Sequence, residues 1–374
     1  ISSDSWPIYI SLQKDGILFK MRRTQDLPDK ESATMFFQDC KLAHQAQITG
    51  ISHSVKEILP PDLLDLTQLQ KEANIRYGFT ASEVYDIAQS LYEKKLISYP
   101  RTSSRYLTED VLDSLPPIMA RLLSWELFPA AKGTGGIDIS NLSRHVISAE
   151  KANVHHAIII TGIRPGNLSE KEMQVYRLVA GRMLETFMAP CRIETTNVEA
   201  VCAAQHFKVE QTRIIEAGWH DVFMRSDMVP KSGYSVNELP EVEKSDTLNV
   251  CGCNMVHKKQ LPVNPFTDAE LVEYMEQNGL GTVSSRTNII RTLVNRKYIR
   301  YSGKYIVPTP KGMFTYETIR GKKIADTSLT ADWEKQLTGL ESGMITGQDF
   351  LNRIRTLAKE MTDDIFNTYS TKEE

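Results

Sequence analysis

Residues 96–107 read LISYPRTSSRYL, and the residue types in this stretch are those of phosphate chemistry. Tyr99 follows the apolar pair Leu96-Ile97 and is held from behind by Pro100, which restricts the backbone of the residue before it. Arg101 comes next but one, then the hydroxyls of Thr102, Ser103 and Ser104. A tyrosine ending a strand is usually a packing residue. Beside an arginine and small hydroxyls it has a second reading, as a group that holds or attacks a phosphate. A phenol ionises only near pH ~10, so as a nucleophile it needs a cation or a base close by. Arg101 is permanently charged, and its fork of donors suits the oxygens of a phosphodiester.

The elements that must position this stretch alternate in type along the chain. WPIYISL, GILFKMRR and AQITGISHSV read as strands, with a short helical ESATMFFQDCKLA between them. Pro60-Pro61 marks a boundary, since neither residue continues a ladder or a helix interior. From Leu63 to Tyr92 the apolar spacing is helical, and Leu96-Ile97 then reads as a short strand ending at Tyr99. SEKEMQVYRLVAGRMLETFM, residues 169–188, predicts an amphipathic helix with Ser169 as N-cap and Glu172 completing a capping box. IETTNVEAVCAA, FKVEQTRII and DTLNVCGCNMV return to strands, broken by a loop around Lys231-Ser232-Gly233. After Pro262 and Pro265 the helical pattern resumes, closing with a long helix from Gln348 to Phe366. The economical reading is an α+β, multidomain chain. A discontinuous β-rich domain (1–60 and 191–263) is interrupted by a helical domain carrying Tyr99 (61–190), and a C-terminal helical domain (264–374) comes last.

An internal repeat refines this. GFTASEVYDIAQSLYEKKLISY, residues 78–99, aligns with GLGTVSSRTNIIRTLVNRKYIRY, residues 279–301, with one residue of slack. Ile87, Leu91, Lys95 and Ile97 then fall opposite Ile289, Leu293, Lys297 and Ile299, and Tyr99 falls opposite Tyr301. The second copy continues as YSGKYIVPT, a hairpin with Gly303 in its turn, which completes a winged-helix pattern. Such a unit can be structural or can lay its second helix on DNA. The second reading is favoured here, because that helix carries Arg286, Arg291, Arg296 and Lys297.

The bulk properties agree with a nucleic-acid surface of limited size. Net charge is −3, yet between Lys258 and Lys323 twelve Lys/Arg face five Asp/Glu, a basic module on an acidic body. No apolar run approaches the ~20 residues needed to span a bilayer, so no membrane role is expected. Five scattered cysteines fit a reducing compartment, and Cys251-Gly252-Cys253 reads as strand because no second ligand pair stands at zinc spacing. Without an initiator Met or a signal-peptide pattern, the opening ISSDSWPIYISL reads as a cut from a longer protein.

LISYPRTSSRYL resembles the active-site signature of type IA DNA topoisomerases, in particular the topoisomerase III branch. VHHAIIITG (154–162) is similar to the family's histidine motif, and LSEKEMQVYRLVAGRMLETF to the helix after it. AGWHDVF, MEQNGLGTVSSRTNIIRTLVNRKYI, PTPKG and LTADWEKQLTGLESG resemble later family segments in the same order, so the likeness spans nearly the whole chain. The resemblance implies an ATP-independent enzyme that cuts one DNA strand, passes another and reseals. Tyr99 would form a 5′-phosphotyrosyl bond, and Arg101 would hold the scissile phosphate. His155 and Thr102 would lie beside bound DNA, and Thr282, Ser285, Arg286 and Arg291 would meet its backbone further on. Ser103 stands where the family usually has Asp, and Ile160 and Val283 where it has Pro.

The resemblance also implies Mg2+ bound by the carboxylates of an N-terminal Toprim domain. No Asp-x-Asp arrangement occurs in this sequence, so the chain is expected to bind no metal and to be inactive alone. Single-stranded DNA, a monomeric state and a cytoplasmic, nucleoid-associated location complete the expectation. The rivals are a non-enzymatic winged-helix DNA-binding or scaffold protein, and a tyrosine recombinase. The latter needs separated Arg and His residues before a C-terminal tyrosine, and Tyr99 comes too early.

Overall fold

The computed structural model describes residues 4–27, 29–125, 127–129, 137, 142, 145–152, 155–223, 233–259 and 264–370. Lys231 and Ser232 of the expected loop, Pro262 and Val154 of the histidine motif lie outside the described residues. The chain divides into two compact units, one of residues 1–61, 128–138 and 184–263, the other of 62–127, 139–183 and 264–374.

The first unit is a closed sheet. β1 (Ile8–Lys14) and β2 (Ile17–Arg23) form a hairpin whose Asp15-Gly16 turn has φ of 51° and 81°, the left-handed pair that a two-residue turn requires. β3 (Gln45–Ile58) pairs with both β4 (Cys191–Cys202) and β7 (Thr247–Met255), and β4 continues into β5 (Gln205–Glu216). β1 pairs with β7, and Arg22 and Arg23 of β2 pair with Lys208 and Phe207 of β5, which closes the ring. β6 (Ser235–Val236) lies parallel on β5. Alternate residues Ile8, Ile10, Leu12, Phe19, Met21, Ile48, Val198, Ala200, Phe207 and Val209 point inward and fill it. α1 (Lys30–Leu42), capped by Asp29, adds Cys40 to this core. The Gly-Trp of AGWHDVF also has a structural reason. Gly218 sits at φ +52° against the carbonyls of Ala189 and Pro190, where no Cβ fits, and Trp219 Nε1 donates to Ile58 O at 2.9 Å.

The second unit is helical: α2 (Leu66–Tyr77), α3 (Ala81–Glu93), α4 (Glu109–Ser124) and α5 (Glu170–Phe187), then α6 (Asp268–Gln277) and α7 (Val283–Asn295). The hairpin of β8 (Ile299–Ser302) and β9 (Tyr305–Pro308) precedes α8 (Pro310–Ile319), α9 (Thr327–Glu341) and α10 (Gly347–Ser370). α5 starts with the expected capping box: Ser169 N donates to Glu172 Oε2 at 3.0 Å, and Glu172 N to Ser169 Oγ at 3.3 Å.

The repeat is present in backbone detail. Thr80 and Thr282 are the N-caps of α3 and α7, reciprocated by Glu83 and Ser285. The two helices also end alike. Lys95 and Lys297 take φ of 60° and 62°, and Leu96 N and Tyr298 N close back on Leu91 O and Leu293 O, each at 2.9 Å.

Beyond these helix ends the two copies diverge. The second has its hairpin, whereas residues 96–98 form no strand. Ile97 makes a single bridge to Ile160, and Leu64 another to Ile158. Ser98 explains why no ladder grows: its N donates to Ile159 O at 2.8 Å, and its own Oγ takes the Ile159 N–H at 2.9 Å. Tyr99 therefore ends a bridge, not a strand.

Candidate active site

α3 builds one wall of the site. Tyr85, Gln89 and Tyr92 stand at i, i+4 and i+7, on one face of that helix. The Arg101 guanidinium lies over the Tyr85 ring at 5.0 Å, and its Nη2 donates to Gln89 Oε1 at 3.2 Å. Its Nε is buried without a hydrogen-bond partner among the described residues. The Tyr99 ring is held between Tyr92, edge-on at 5.4 Å, and His155, whose ring centroid is 4.4 Å away. Among the described residues nothing accepts a hydrogen bond from the Tyr99 hydroxyl.

The segment after Tyr99 is fixed by backbone partners. Thr102 is buried, and its Oγ1 donates to the carbonyl of His155 at 2.8 Å, which ties the two motifs together. Thr102 O accepts from Leu66 N at 3.1 Å, and Thr102 Oγ1 accepts from Ser104 N at 3.0 Å. Ser104 Oγ then donates to Lys151 O at 2.7 Å. Ser103 is exposed, and His155 is exposed apart from its contact with Tyr99. Two hydroxyls of the cluster are thus structural, while the phenol lies against an imidazole and the guanidinium rests on the same helix, α3, two residues further along the segment. Such a group can present an oxygen nucleophile beside a fixed cation. Ile160, at a family Pro position, is fully buried and donates its N–H to Met183 Sδ at 3.1 Å.

The other four expected residues lie on α7. Gly281 at φ +74° turns the chain into the helix, and a Cβ there would meet Ser285 Oγ at 2.8 Å. Thr282 is exposed at the N-cap, its N–H donating to Ser285 Oγ at 2.8 Å, and Val283 begins the helix without the usual proline. Arg286 and Arg291 are committed to protein. Arg286 is 8% exposed, with Nη1 3.0 Å from Glu276 Oε1. Arg291 donates from Nε to Ser82 Oγ at 2.8 Å and reaches Asp86 Oδ2 at 2.8 Å. The basic helix read as a DNA-facing surface therefore turns two of its arginines onto neighbouring helices in this conformation. Arg296 and Lys297, just past the end of α7, and Arg300 on β8 remain exposed.

Four side chains that spacing did not single out complete this region: Asp65, Gln89, Arg105 and Glu276. Asp65 carried a faint signal, a helix-capping residue just before Leu66, but nothing in the sequence pairs it with Arg105. Among the described residues no group of three or more His, Cys, Asp or Glu is arranged to hold a metal ion, and no helix is long and apolar enough to cross a membrane.

A family model described as DNA topoisomerase matches residues 1–352. This chain belongs to the DNA topoisomerase family. It is of the type IA, topoisomerase III-like kind. It is 31% identical over 344 residues to DNA topoisomerase 3 of Bacillus licheniformis, which covers 86% of the chain and 47% of that relative. It is 30% identical to DNA topoisomerase 3 of Bacillus subtilis, covering 87% and 48%. The chain thus spans about half the length of the curated relatives it matches. The solved structure of full-length topoisomerase I from Thermotoga maritima shares its fold. The TM-score is 0.71 at 23% identity, over 96% of this chain and 59% of that one.

Proposed function

We propose that the complete polypeptide is a DNA topoisomerase that breaks and rejoins one DNA strand through Tyr99. The observation that carries this reading is that Tyr99 and Arg101 both pack on α3, with His155 against the Tyr99 ring, in a chain of this family. The Tyr99 hydroxyl gives up its proton as its oxygen attacks the phosphodiester phosphorus, the bond to the departing 3′ oxygen breaks, and that oxygen takes up a proton to become a 3′-hydroxyl. The 5′ phosphate is left on Tyr99. The reverse attack reseals the strand, and since the linkage keeps the bond's energy no ATP is consumed. Arg101, released from Gln89, neutralises the phosphate oxygens, and His155 lies beside the bound strand with Thr102 fixing its backbone.

Single-stranded DNA is the substrate segment, bound by a monomer and approached by Thr282 and Ser285 at the N-terminus of α7. Arg286 and Arg291, paired with Glu276, Ser82 and Asp86, hold α7 in place for that contact and leave the phosphates to exposed residues. In this reading Mg2+ would be held by carboxylates of a Toprim domain. The division into a β-rich arch (1–60, 191–263), a tyrosine domain (61–190) and a C-terminal domain (264–374) belongs to this reading, with the tyrosine domain moving away to open a gate. The full-length protein should relax negatively supercoiled plasmid with Mg2+ and without ATP. Relaxation that requires ATP, or none under any condition, would sink the proposal.

A further inference from the structure

The N-terminus of α2 joins the tyrosine segment to the α6–α7 pair through a chain of polar contacts. Asp65 is 2% exposed and uses both carboxylate oxygens. Oδ1 accepts from Gln68 N at 2.7 Å, capping α2, and Oδ2 lies 2.6 Å from Arg105 Nε. Arg105 is part of the same stretch as Tyr99 and Arg101, six residues beyond the tyrosine. The next residue after Asp65, Leu66, donates its N–H to Thr102 O at 3.1 Å. The one after, Thr67, donates to Glu276 Oε1 at 3.2 Å, and the same oxygen takes Arg286 Nη1 at 3.0 Å. Three consecutive residues, Asp65, Leu66 and Thr67, thus hold the tyrosine segment at two points and α6–α7 at one.

We infer that Asp65 is a positioning residue for the cleavage reaction: through Arg105 it fixes the segment that presents Tyr99 and Arg101. The inference rests on the function proposed above. A simple capping residue would need only Oδ1. Asp65, itself almost fully buried, spends its second oxygen on a guanidinium that belongs to the tyrosine segment. Burial pushes the Asp65 carboxyl upward, and the Gln68 amide and the Arg105 charge both oppose that push. Arg105 is likewise held above its ordinary value, burial being outweighed by Asp65 and Glu276. Arg286, offered by sequence as a DNA contact, acts in this arrangement as the far anchor of the same chain of contacts.

Asp65→Asn separates the two roles, because asparagine caps a helix about as well as aspartate but gives Arg105 no counter-charge. In the full-length protein, single-turnover cleavage of a saturating single-stranded oligonucleotide should slow by about tenfold or more, as expected when a reacting group is loosened by a fraction of an ångström. The dissociation constant for the same oligonucleotide should stay within about twofold, since the inference gives Asp65 and Arg105 a role in positioning the segment and none in holding DNA. Arg105→Lys, which keeps the charge, should retain more of the rate than Arg105→Gln, and Asp65→Asn combined with Arg105→Gln should be no slower than the worse single variant. An Asp65→Asn protein that cleaves at the unsubstituted rate overturns the inference. So does a loss that disappears when the assay is cooled below the variant's lowered melting temperature, which would make Asp65 merely structural. A protein that forms no covalent complex before any substitution would instead overturn the function on which the inference rests.

Discussion

At the residue scale, two tyrosines occupy equivalent places in the repeat and are used differently. The Tyr301 hydroxyl donates to Asp268 Oδ1 at 2.9 Å, and the other oxygen of that buried carboxylate takes the first N–H of α3, from Ala81. The Tyr99 hydroxyl has no such obligation among the described residues. Tyr301→Phe should therefore lower the stability of this chain by about 1–2 kcal/mol, the cost of leaving a buried carboxylate short of a donor. It should leave strand cleavage by the full-length protein unchanged. Tyr99→Phe should do the opposite, abolishing cleavage with DNA affinity and melting temperature nearly intact. Denaturant titration and oligonucleotide cleavage of the two variants decide this, and like behaviour would refute the distinction. Sequence spacing made Tyr99, Arg101 and Thr102 legible because they share one stretch. Gln89 and Asp65 were not, since their partners are set by how α2 and α3 pack.

At the element scale, helix caps were readable and side-chain directions were not. Ser169 caps where its spacing predicts, because a capping box is local chemistry, and Thr80 and Thr282 cap α3 and α7 by the same device. The strand expected before Tyr99 failed because Ser98 satisfies with its side chain what a neighbouring strand would otherwise supply. Pro116 and Pro117 inside α4 show the reverse, a helix that continues where the residue types argue for a break.

The α5 cap makes a pH prediction. Lys94 at 2.5 Å, Ser90 and the Ser169 amide hold the Glu172 carboxyl down to about 2, from an ordinary value of 4.5. A depressed carboxyl contributes its full stability above the unfolded value and loses it as pH falls through the folded one. Glu172→Gln should thus destabilise this chain at pH 7, and the difference should shrink between about pH 4.5 and 2. A gap that stays constant across that window would show that the charge is not involved.

The arginines of α7 and of the turn and strand after it make another prediction. Replacing Arg286 and Arg291 by Ala should lower stability but leave the salt dependence of single-stranded DNA binding by this chain unchanged, since both are already paired with protein. Replacing the exposed Arg296 and Arg300 should make the log-log slope shallower, by roughly 0.7 for each phosphate no longer neutralised. Fluorescence anisotropy of a labelled oligonucleotide at several salt concentrations reads both slopes. The opposite ranking would mean that α7 releases its inner pairs to bind DNA.

At the scale of the whole molecule, the order of strands and helices was legible because the period of the apolar pattern switches at each boundary. Closure of the sheet was not, since the pairing of Arg22 and Arg23 with β5 links residues more than 180 positions apart and leaves no local trace. The internal repeat was visible in apolar spacing, and the left-handed Lys95 and Lys297 show that it extends to backbone conformation. Since the proposed reaction takes its Mg2+ from a Toprim domain, the 374-residue chain alone should leave supercoiled plasmid unrelaxed. Relaxation by that chain would refute this assignment of the metal. The central claim is that Tyr99 attacks DNA, and trapping the full-length protein on a single-stranded oligonucleotide tests it most directly. After protease digestion and mass spectrometry, the peptide that contains Tyr99 should carry the nucleotide through a tyrosyl 5′-phosphate, with a free 3′-hydroxyl on the released strand. An adduct on any other residue, or a 3′-phosphotyrosyl linkage, would contradict it.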